Sequence, residues 1–179
     1  MSFQPQPIEG LRVPLFDRLV DSAPADRKEL SPVRLHNRTA LYVSMARDIS
    51  RLLNTRRSSG MTLNPATATV LDYGIPSFSH LSAASVTDRR LLTETIRAAI
   101  AFFEPRAQDV VVELAPDPLH PASLTGHVHC KAKLHRFLEP VTFPLILRQR
   151  EGTAEVLVPE SNAAATTAAA DRIDVPHHG

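Results

Sequence analysis

Three groups of side chains in this chain could do chemistry. The first is Glu104 and Arg106, a carboxylate and a guanidinium on either side of Pro105. A planar guanidinium makes paired, directional bonds to carboxylates or carbonyls. Arg106 is therefore expected to grip a partner with Glu104 orienting it. The competing use of Glu104 is as the acid of a peptidoglycan hydrolase, with Glu113 or Glu139 as the second carboxylate. A cation two residues away favours the carboxylate anion, which is a poor proton donor. The chain also has no tryptophan and only two tyrosines with which to stack on sugar rings.

The second group is His127 and His129, on one face of an alternating segment with His135 nearby and Cys130 on the opposite face. Two histidines without a third ligand or a second shell do not make a zinc site, so solvated strand histidines are expected, with no metal and no cofactor. The third group is Arg34, Arg38, Arg47, Arg51, Arg56 and Arg57, offset only by Asp48, for a local charge of +5. Nucleic-acid binding would call for stacking aromatics or a groove-entering motif, and the nearby Tyr42 belongs to an apolar face. An arginine surface turned to an acidic protein partner is the better expectation. Neither a phosphate-cradling glycine loop nor a nucleophile elbow occurs.

These groups need elements to position them. Ser31 and Pro32 suit the N-cap and first position of a helix whose apolar face is Leu35, Tyr42, Met45, Ile49 and Leu52. A polar loop containing Ser58, Ser59 and Gly60 leads to a short helical piece from Thr69, which Gly74 ends. Ser85 or Thr87 caps a second helix with Leu92, Ile96, Ala99, Ile100 and Phe103 in its stripe, and Pro105 stops it near Glu104. Beyond Arg106 the period becomes two. Strands are expected over 109–114, through Val128, Cys130, Ala132 and Leu134, through Val141, Phe143, Leu145 and Leu147, and over 155–158.

The resulting fold class is α+β: two main helices packed on one face of a small antiparallel β-meander of three to four strands, with a short N-terminal helix over 14–20. Residues 1–14 are expected to be a flexible arm, 15–159 one domain and 160–179 a disordered alanine-rich tail. With 43% hydrophobic and 22% charged residues the chain has a globular composition, and its net charge of +1 supplies no global field to attract nucleic acid or an anionic membrane. One cysteine cannot form an internal disulfide, and no apolar run approaches a membrane span, so a cytoplasmic protein is expected.

In order and spacing, Leu52-Leu53-Asn54-Thr55-Arg56, Val70-Leu71-Asp72-Tyr73-Gly74-Ile75-Pro76, and Phe103-Glu104-Pro105-Arg106 followed by Val110-Val111-Val112 resemble the TssE family. These are type VI secretion baseplate subunits among the small phage-tail baseplate wedge proteins that carry a historical "lysozyme-like" label. The resemblance implies a non-enzymatic structural protein that joins the baseplate wedge and seats the first layer of a contractile sheath. It implies partners among the wedge subunits TssF and TssG, TssK, the sheath proteins TssB and TssC, and the spike VgrG, in the cytoplasm at a membrane-docked apparatus. It also implies partner-binding roles for Glu104, Pro105, Arg106, Asn54, Thr55, Arg56, Tyr73 and Gly74. The alternative remains a peptidoglycan hydrolase using Glu104.

Overall fold

Apolar side chains at helical spacing between residues 38 and 54 must find a surface to cover them, and the alternating strands after residue 106 provide it. The structure, a computed structural model, describes residues 11–12, 35–36, 38–58, 63–64, 66–134 and 137–159. The expected helix over 14–20, the cap at Ser31 and Pro32, the remainder of the arm, the tail over 160–179, Arg34 and His135 lie outside these residues.

Helix α1 runs Arg38–Asn54, and Leu41, Met45, Ile49, Leu52 and Leu53 form its buried stripe. It starts later than the Ser31-Pro32 signal indicates. Leu35–His36 is instead a strand, β2, paired antiparallel with β1, Leu11–Arg12, and a backbone held in a ladder is extended rather than helical. A 3₁₀ turn follows at Val70–Asp72, closed by a full capping box: Thr69 accepts from the Leu71 amide, and the Asp72 carboxylate accepts from the Thr69 amide at 2.8 Å. Helix α2, Val86–Phe103, is capped by Ser85 rather than Thr87, with the Ser85 hydroxyl accepting from the Asp88 amide. It ends on Glu104, whose amide donates to the Ile100 carbonyl at 2.9 Å.

Four strands, β3 (Ala107–Pro116), β4 (Ser123–Leu134), β5 (Phe137–Arg148) and β6 (Thr153–Val156), pair antiparallel in sequence order, which makes an α+β fold around a meander. Buried residues of both helices and all four strands share one core, including an edge-to-face contact of Tyr42 with Phe143 at 6.3 Å. Alternation does not reveal the bulge between Gln108 and Val111, where Asp109 takes φ +52° and pairs with Lys131 at 2.7 Å. Gly126 allows β3 to lie close, because a Cβ there would stand 1.9 Å from the Glu113 carbonyl oxygen.

Two prolines inside β5 fit because of the ladder's phase. The Pro144 carbonyl accepts from the Leu157 amide, so the nitrogens of Pro144, and of Pro140 four residues earlier, face away from β4 and their missing donors cost no bond between β4 and β5. Pro159, next in phase after Leu157, has no N–H to continue the pairing, and β6 ends at Val156 rather than 158.

Burial, followed by the charge of Glu104, pushes the Cys130 thiol up to about 11 from 9.0. The unfolded chain loses this proton first, so the thiol's contribution is present below pH 9 and lost as pH rises through 11. Thermal melts should show Tm falling across this window, less steeply in Cys130→Ala. The folded thiol should resist a maleimide at pH 8 and react once urea unfolds the chain.

Candidate functional site

Glu104 has the last position that α2 can reach before Pro105 turns the chain, and it is only 4% exposed. Such a carboxylate needs a partner. The turn, closed by the Ala107 amide on the Glu104 carbonyl, brings Arg106 back over it. Arg106 Nε donates to Glu104 Oε1 at 2.6 Å and Nη2 to Oε2 at 2.5 Å, a bidentate fork. Nη1 donates to Ser44 Oγ at 2.9 Å and Nη2 to Asp48 Oδ2 at 2.6 Å, both on α1. The Arg106 carbonyl accepts from the Lys133 amide on β4. All three guanidinium nitrogens are thus engaged within the chain, joining α1, the end of α2 and the start of the sheet. Burial alone would lower the Arg106 pKa, but the bonds to and charges of Glu104 and Asp48 outweigh it and raise it, so the guanidinium stays charged.

Asn54, Thr55 and Arg56 form a second fastening where α1 ends. The Asn54 amide donates to the Ala154 carbonyl at 2.7 Å and accepts from the Ala154 amide at 2.9 Å, taking the place of a fifth strand on β6. Arg56 donates to the carbonyls of Leu53 and Gly152 and lies over the Phe78 ring, 4.7 Å from its centroid. The Thr55 carbonyl accepts from the Ile75 amide. Between them Gly74, at φ +106°, leaves a gap in which a Cβ would stand 2.3 Å from the Thr55 oxygen. Tyr73 packs edge-on against Phe103 at 5.2 Å. Burial raises its hydroxyl pKa; the Asp48 charge adds to this, Arg51 opposes it and Glu104 reinforces it. Tyr73 therefore links the two fastenings.

The arginine surface expected from the sequence divides. Arg38 pairs with Glu139; burial, followed by the charge of Glu139 and a hydrogen bond to it, pushes the Tyr42 hydroxyl up to about 12, with Arg38 opposing. Arg47 and Arg51 each lie 3.8 Å from Asp48, whereas Arg57 is 5% exposed and Arg56, though exposed, is held on backbone carbonyls. Ser44 and Asp48, as partners of Arg106, and the Arg38–Glu139 pair are contacts that motif reading misses. The available signal was Ser44 and Asp48 at i and i+4 beside the buried Met45 and Ile49.

His127 and His129 stack at 5.8 Å. His129 Nδ1 bonds Thr142 Oγ1, and its Nε2 lies 3.7 Å from Glu113. Among the described residues no group of three or more His, Cys, Asp and Glu could hold a metal.

A family model described as baseplate wedge protein gp25 matches residues 40–136, just over half the chain, from α1 through β4. No curated protein and no solved structure matches significantly.

Arg106→Ala leaves Glu104 buried and uncompensated, and urea titration should show a loss of about 3–5 kcal/mol. The Glu104→Gln, Arg106→Ala double variant should cost less than the sum of its single changes, because the pair is coupled. Gly74→Ala should cost about 1–3 kcal/mol through its clash with Thr55.

Proposed function

Since the chain belongs to the baseplate wedge protein gp25 family, we propose that it is a non-enzymatic type VI secretion baseplate subunit that joins the wedge and seats the first sheath layer. The observation that carries this reading is the unequal treatment of the two sheet edges. Asn54 and Arg56 occupy the β6 edge. The bond from the Asp117 amide to the Ser123 carbonyl sets the phase of β3, directing the bonds of Val111, Glu113 and Ala115 toward β4. Val112 and Leu114 therefore turn their N–H and C=O groups outward, between the bulge and Pro116. That is a short, bounded template for an extended arm from a sheath subunit.

Glu104, Pro105 and Arg106 serve assembly by fixing where β3 begins. Asn54, Thr55, Arg56, Tyr73 and Gly74 hold the opposite edge and the connecting loop in place. Both Glu104 oxygens accept from Arg106, so neither is directed at a substrate, which favours the structural reading over a hydrolase. Partners in this reading are the wedge subunits TssF and TssG, TssK, the sheath proteins TssB and TssC, and VgrG, with the protein working at a membrane-docked apparatus on its cytoplasmic side. No helix of the described residues is long and apolar enough to cross a membrane.

Leu114→Pro removes one outward N–H without breaking a bond to β4. In cells carrying the apparatus, this variant should keep its circular dichroism spectrum yet form about tenfold fewer sheath foci, the scale of a lost interface anchor. Normal sheath counts would contradict arm capture at β3, and cell-wall turnover by the purified protein that is lost in Glu104→Gln would contradict the non-enzymatic reading.

A further inference from the structure

The free edge of β3 carries side chains as well as main-chain groups. Val112 is 5% exposed and turns to the core, whereas Val111 is 52% exposed and the Glu113 side chain 69% exposed. Val111, Glu113 and Ala115 thus share the sheet face that points away from the core. Their main-chain bonds are directed at β4. In an antiparallel strand added to the free edge, the residue opposite Glu113 would therefore belong to a non-hydrogen-bonded pair. In that type of pair the side chains come closest, with Cα atoms about 4.5 Å apart.

What stands around Glu113 decides which side chain an arm can place there. Among the described residues the only ionic contact of its carboxylate is His129 Nε2 at 3.7 Å, and a histidine is a cation only when protonated. His129 is itself bonded to Thr142 and stacked on His127. Lys131, on the same face of β4, lies 2.7 Å from Asp109 at the bulge. Of the two carboxylates on β3, Asp109 has a lysine and Glu113 has none. The space beside Glu113 is also open: a depression of about 470 Å³ is lined in part by Glu113, Ala115, Thr125, His127, Pro144 and Ile146. A lining of mixed polarity, with a carboxylate on it, suits a long aliphatic stem that ends in a cation.

We infer that the sheath arm captured on β3 places a lysine or arginine opposite Glu113, with an apolar residue two positions along that covers Val111. The stem of the basic residue lies toward Ala115 and its charge meets the Glu113 carboxylate. An acidic residue at the same place would be repelled, so Glu113 selects which segment can pair. This rests on arm capture at β3 for the presence of the strand, and goes beyond it by fixing the register and chemistry of the strand that fits.

The test places the photo-crosslinking residue p-benzoylphenylalanine at Val111 of the full-length chain, in cells carrying the whole apparatus, and sequences the cross-linked peptide. The expected adduct is to a sheath subunit, through a segment in which Lys or Arg stands two residues from Val, Ile, Leu or Phe. Its yield should fall about fivefold in Glu113→Lys, where attraction becomes repulsion, and be largely kept in Glu113→Asp. If Glu113→Lys loses its circular dichroism spectrum, Glu113→Gln supplies the comparison, with a smaller fall. An adduct to any polypeptide other than a sheath subunit, a segment without Lys or Arg at that spacing, or a yield indifferent to the residue 113 charge would overturn the inference. Arm capture would still stand in those cases if Leu114→Pro lowers the sheath count. Absence of an adduct would also overturn the inference, and absence together with normal sheath counts in Leu114→Pro would overturn arm capture itself.

Discussion

The Arg106 guanidinium is the point through which the rest of the fold is joined. Helices α1 and α2 make few direct contacts, and only three residues separate the end of α2 from the start of the sheet. One side chain spans this three-way junction by forking onto Glu104 and reaching Ser44 and Asp48 across the gap. Pro105 makes this possible, because it halts the helix with the carboxylate still buried and turns the next residue back over it. A lysine could supply the charge but not the planar fork that meets three acceptor groups at once.

A second constraint acts at the far end of α1, where Asn54 lies along the edge of β6. An open sheet edge is a liability unless something covers it, and an asparagine amide reproduces the donor and acceptor pair of a neighbouring strand. With that edge occupied, pairing capacity remains on β3, between a bulge that bends the strand and a proline that closes it. The gp25-family match contains both fastenings, since residues 40–136 include Asn54 to Arg56 as well as Glu104 to Arg106. The physical consequence, among the described residues, is a four-stranded sheet fastened at Ala154 on β6 and with outward main-chain groups on β3.

Much of this was legible from the chain. Helix stripes, strand alternation and the stop at Pro105 each rest on local periodicity or local sterics, and these express themselves without long-range information. The later start of α1 was not legible, because the pairing of Leu35–His36 with Leu11–Arg12 depends on residues more than twenty positions away. The direction of Arg106 was also hidden. Its spacing from Glu104 permits an outward or an inward guanidinium, and only the placement of Ser44 and Asp48 on the facing helix decides between them. Arg56 and Arg57 look alike in a basic run, yet Arg57 is buried, and Arg56, itself exposed, is held on the Leu53 and Gly152 carbonyls and over the Phe78 ring. Proximity along the chain does not reveal such partners.

Whether β3 receives a partner's strand is read directly from an electron cryo-microscopy reconstruction of the baseplate with its first sheath layer, at a resolution that shows side chains. An additional strand is expected along Val112 and Leu114 of β3, with Arg106 still forked onto Glu104 and bonded to Asp48. A bare β3 edge, with the Arg106 guanidinium turned outward onto a partner carboxylate, would contradict this.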